Sequence, residues 1–117
     1  MKTGFYGGVE ISMKVPPHQY DATVAFYRDV IGLQAITGMA PATGFHLGPN
    51  KLWIEEAPGM SQAEIWLELL TDDFAAAAQH LAQHGVVRCD AIEPLPMNIN
   101  GGWYTSPASI VHLVREP

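Results

Sequence analysis

The chain has 117 residues, the size of one ordinary domain, and its 48% hydrophobic content supplies a core without a disulfide or metal staple. Twelve acids against six bases give a net charge of −6, and the bases (Lys2, Lys14, Arg28, Lys51, Arg88, Arg115) are scattered, which argues against a nucleic-acid partner. A single cysteine, Cys89, excludes an internal disulfide. No run approaches the ~18 apolar residues of a membrane helix, and Met1 to Gly8 lack the apolar core of a secretory signal, so a cytoplasmic protein without a membrane partner is expected.

In chain order, Glu10 to Val15 alternates polar and apolar, the period of a half-buried strand, with Ile11, Met13 and Val15 on one face. Asp21 is placed to cap a helix over Ala22 to Ile31, whose inward stripe reads Thr23, Phe26, Tyr27 and Val30. Gly32 stands where a left-handed residue closes a helix, followed by apolar Leu33. A short strand over Gln34 to Thr37, an aromatic segment Gly44 to Pro49 and a strand Leu52 to Glu56 complete the first half. The turn-forming stretch 57–62 then leads into Glu64 to Leu69, which alternates again. Asp72 or Asp73 caps a second helix with the stripe Phe74, Ala77, Ala78 and Leu81, closed by Gly85-Val86. A short strand over Val87 to Ile92, a loop from Leu95 to Asn100, a segment Gly102 to Pro107 and a strand Ile110 to Arg115 follow.

The halves share a grammar. Glu10-Ile11 and Glu64-Ile65 both open an alternating strand, and Gly44-Phe45-His46 recurs as Gly102-Trp103-Tyr104, each followed by a proline turn. Two modules, about 9–56 and 63–116, are therefore expected within one domain spanning 1–117, because neither half alone can bury a helix stripe and a sheet face.

Ala25-Phe26-Tyr27-Arg28-Asp29-Val30-Ile31-Gly32-Leu33 resembles the segment that ends the first helix in the vicinal oxygen chelate superfamily, which includes glyoxalases, extradiol dioxygenases and bleomycin-resistance proteins. Ser106-Pro107-Ala108-Ser109-Ile110-Val111-His112-Leu113 is similar to its closing signature, with the acids and the asparagine replaced. The resemblance implies an α+β fold, two tandem βαβββ modules whose curved sheets surround a shared cavity, and a homodimer. It does not fix function, because this fold hosts many chemistries.

In the superfamily, metal ligands come from the first and last strands of each module. Carried over, these positions fall on Glu10 or Ser12, on Glu64 or Trp66, and on His112, with Ile54 as the partner of His112. Glu10, Glu64 and His112 would suit one divalent metal, zinc, iron, manganese or nickel. Ile54 cannot ligate, so the four-ligand set of a glyoxalase is incomplete.

A second constellation is aromatic. Trp53, Trp66 and Tyr104, with Ser12, are candidates to line a small-molecule site, and Glu68 or Glu10 to pair with a cation there. Trp103 reads as packing. His80 and His84 share a helix face at the spacing of a metal clamp, but no third ligand accompanies them and the dipole of a helix C-terminus also favours them. The depleted ligand set points to a drug- or metabolite-sequestering protein; the alternative is a metal-dependent lyase, isomerase or dioxygenase using Glu10, Glu64 and His112.

Overall fold

The computed structural model describes residues 4–117. It divides into two compact units, Val9–Trp66 and a second formed by residues up to Gly8 together with Leu67–Pro117. The boundary between Trp66 and Leu67 falls inside the strand Glu64–Leu70. Among the described residues no helix is long and apolar enough to cross a membrane.

In the first unit, strand β2 (Glu10–Val15) is followed by helix α1 (Pro17–Ala25), which runs into a π-helical turn (Phe26–Ile31), then β3 (Thr43–Leu47), β4 (Asn50–Glu56) and the start of β5 (Glu64–Leu70). The sheet order is β3-β4-β2-β5. β2 runs parallel to β4 and antiparallel to β5, the parallel pairing being made possible by the helical crossover. Val15, Phe45, Leu52 and Ile54 form the core, with Ile11, Met13, Tyr20, Val24, Tyr27 and Leu33 packed on it. Full burial of each of the four core side chains stabilises by about 1.5–3 kcal/mol.

Helix α1 departs from the sequence expectation. It begins at Pro17, using proline where the missing N–H costs nothing, so Asp21 lies inside it and caps nothing. The π turn adds a residue and rotates the end of the helix. Tyr20, Val24 and Tyr27 face the core, whereas Phe26 and Val30 are exposed. Gly32 does close the helix at φ 79°, and Leu33 donates to the Tyr27 carbonyl. The strand expected over Gln34 to Thr37 reduces to one bridge, Ala35 with Phe45.

In the second unit, β1 (Tyr6–Gly7) pairs antiparallel with the end of β5. Helix α2 (Phe74–Gln83), β6 (Val87–Arg88), β7 (Gly101–Thr105) and β8 (Val111–Arg115) follow, with sheet order β5-β8-β7-β6. Asp73 caps α2 by accepting from the Ala76 amide at 3.0 Å. Phe74, Tyr104 and Val114 make the core, joined by Leu69, Ala78, Leu81, Val86 and Phe5. The strand expected over Val87 to Ile92 stops at Arg88, and a 3-10 turn covers Asp90–Ile92. Asp90 accepts from the Trp103 amide at 2.8 Å, which ties that turn to β7.

Candidate functional site

Strand alternation separates the two faces of the Val9–Trp66 sheet. Ile11, Met13 and Val15 face α1, so Glu10, Ser12 and Lys14 point to the opposite side. Cross-strand register extends that second face in rows. Ser12 lies beside Trp53 on β4 and Trp66 on β5, and Gly44 on β3 continues the row beyond Trp53. Lys14 lies between Glu55 and Glu64, and Glu10 lies beside Lys51, with His46 on the far side of Lys51.

These side chains hold one another. The Trp53 indole donates Nε1–H to Glu10 Oε2 at 2.5 Å, a charge-assisted bond. A Cβ on Gly44 would lie 2.5 Å from Trp53 Cε3, so the indole is seated on bare backbone. Trp66 donates to Glu64 at 3.0 Å. Lys14, only 6% exposed, places Nζ 3.2 Å from Glu55 Oε1 and 4.4 Å from the Trp66 ring centroid. Ser12 donates its hydroxyl to Glu55. The result is a row of two tryptophans around a serine, bordered by three carboxylates. The buried ammonium between them is compensated on both sides.

The second unit carries a related pair on its own helix-averted face. Glu68 on β5 accepts from Arg115 Nε on β8 at 2.7 Å, and the Glu68 side chain is 5% exposed. Its other oxygen, Oε1, is buried without a hydrogen-bond partner, and Gly8 lies directly over the carboxylate. Glu68 is the counterpart of Glu10. In each unit a first-strand glutamate reaches a donor two register positions ahead on the parallel last strand, Trp53 for Glu10 and Arg115 for Glu68.

This equivalence corrects the expected metal set. Glu64 is four residues too early on β5: it lies opposite Lys14, about 13 Å along β2 from Glu10, too far for both carboxylates to reach one ion at ~2 Å. His112 shares the helix side of its sheet with Tyr104 and Val114 and lines a small apolar cleft of about 150 Å³ with Leu69, Leu81 and Val86. Its expected partner Ile54 is likewise a core residue, 2% exposed. Among the described residues no group of three or more His, Cys, Asp or Glu side chains is arranged to hold a metal. The donors named from the sequence therefore do not fit a resident cation.

Of the five expected ligand-lining residues, Ser12, Trp53 and Trp66 meet in one row. Glu68 faces away from α2 in its unit, whereas Tyr104, 4% exposed, packs under α2 on the opposite face, because Trp103 and not Tyr104 registers with Leu113 beside Glu68. Tyr104 is thus a core residue. Sequence reading missed Glu55 and Lys14, which alternation places on the same face as Ser12.

No family model matches the chain, and no curated protein matches it. Solved structures do. The Mn(II)-bound glyoxalase from Novosphingobium aromaticivorans aligns over 98% of this chain and 40% of its own, at 19% identity and a TM-score of 0.69. Methylmalonyl-CoA epimerase from Mycobacterium tuberculosis aligns over 95% and 87%, at 13% identity and TM-score 0.64. A glyoxalase/bleomycin resistance protein/dioxygenase superfamily member from Vibrio splendidus 12B01 aligns over 92% and 97%, at 11% identity and TM-score 0.60. The chain thus spans less than half of the glyoxalase but nearly the whole of the other two. Its α+β architecture is the fold of the vicinal oxygen chelate superfamily.

Proposed function

We propose that the helix-averted face of the Val9–Trp66 unit binds a flat, cationic small molecule, and that the protein sequesters it. The observation that carries this reading is the Trp53–Ser12–Trp66 row bordered by Glu10, Glu55 and Glu64. Trp66 already stacks on Lys14, so Trp53 is the platform left for a ligand. Gly44 supports one face of its indole, and the other face would take a planar ring. The Glu10 carboxylate beside the indole would attract positive charge on that ring.

Titration with a planar aromatic cation such as proflavine, followed by tryptophan fluorescence, tests this. Saturable quenching is expected, weakened at least tenfold by Trp53→Ala and less by Glu10→Gln. Equal affinity in wild type and Trp53→Ala would defeat the reading.

The second reading is an enzyme, a metal-dependent lyase, isomerase or dioxygenase, as the names of the structural neighbours suggest. Glu68 favours it. A buried carboxylate oxygen with no hydrogen-bond partner is the chemistry of a proton acceptor or cation ligand. Metal analysis of the purified protein decides it: stoichiometric transition metal, lost in Glu68→Gln, would displace the sequestering model.

A further inference from the structure

We infer that His80, in the last turn of α2, and His84, its C-cap residue, form a two-imidazole seat for a late first-row divalent cation, with copper(II) bound most tightly. The two rings lie on one helix face with centroids 4.4 Å apart. Phe5 packs against the other side of His80, with centroids 6.0 Å apart, and backs that ring.

The tautomer of His84 follows from its hydrogen bond. Its Nδ1 is 2.9 Å from the His80 carbonyl oxygen, which can only accept, so Nδ1 carries the proton. That leaves the Nε2 lone pair as the ligating atom. A ring N–H held by a backbone carbonyl, with the other nitrogen free, is the arrangement that orients metal-bound imidazoles. The spacing is that of the paired histidines in helical zinc motifs. The helix C-terminus adds partial negative charge from carbonyls without intrahelical partners. Among the described residues no third side chain completes the site, so water fills the remaining positions and the affinity is modest. The Irving–Williams order puts copper first for such nitrogen donors.

The test is titration of the folded chain with copper(II) alone, read by electron paramagnetic resonance for nitrogen hyperfine structure. One copper with two imidazole nitrogens is expected. His80→Ala and His84→Ala should each weaken binding about tenfold or more, with unchanged circular dichroism. A variant combining Ala82→His with His84→Ala keeps two histidines but puts them on different faces, and should bind as weakly as His84→Ala. Undiminished copper binding in either alanine variant, or restoration by the relocated histidine, would overturn the assignment. Neither result depends on what the tryptophan face binds.

Discussion

The indole of Trp53 rests on the bare backbone of Gly44, one strand away. Any side chain at Gly44 would meet the six-membered ring before it met solvent. Gly44→Ala is therefore expected to tilt Trp53 off its seat and away from Glu10. The overpacking should cost about 1–3 kcal/mol, read as a lower urea midpoint, with a shifted tryptophan emission maximum. Unchanged emission would show that the ring is not seated there.

Glu10 fixes the same indole from its polar edge. Glu10→Ala removes a hydrogen bond to a charged acceptor and should cost about 1.5–3 kcal/mol. Glu10→Gln, which keeps an acceptor oxygen, should cost less. Chemical denaturation of the two variants side by side separates the charge from the hydrogen bond.

The Glu68–Arg115 pair predicts an asymmetry. Arg115→Ala strands a carboxylate whose side chain is 5% exposed, and should destabilise by about 3–5 kcal/mol. Replacing both partners by apolar residues (Glu68→Leu with Arg115→Met) should be much milder, since no charge is left buried. A double variant as unstable as Arg115→Ala would mean that the loss comes from packing.

Cys89 should be a slow thiol. Partial burial, and then the neighbouring Asp90 carboxylate, both push its pKa up. Alkylation by iodoacetamide at pH 8 is expected to be slower in the folded protein than in urea. Because the fold favours the protonated thiol, Cys89 contributes stability at neutral pH that is lost as pH rises through its raised folded-state pKa. Equal alkylation rates folded and unfolded would contradict the burial of this thiol.

Much of the architecture was legible because its signals are local. The Asp73 cap, the Phe74–Ala77–Ala78–Leu81 stripe and the closing Gly32 each follow from a few adjacent residues. Alternation in Glu10–Val15 likewise gave the correct faces. Register was not legible. A period of two looks the same after a shift of four, so Glu64 and Glu68 were equally good partners for Glu10, and only the cross-strand pairing distinguishes them. On β8, a displacement of one residue put His112 on the wrong side of the sheet. The start of α1 was hidden because Pro16-Pro17 reads as a break when it is the entry to the helix.

β5 belongs to both packing units, its residues up to Trp66 to one and from Leu67 to the other. Cutting the gene at 57–62 would strip β2 of the residues that pair with Ser12, Met13 and Lys14. It would leave a raw strand border open to self-association, and the N-terminal fragment should precipitate where the intact chain stays in solution. A fragment that keeps Glu64–Leu70 with the first 56 residues retains every strand pairing of β2.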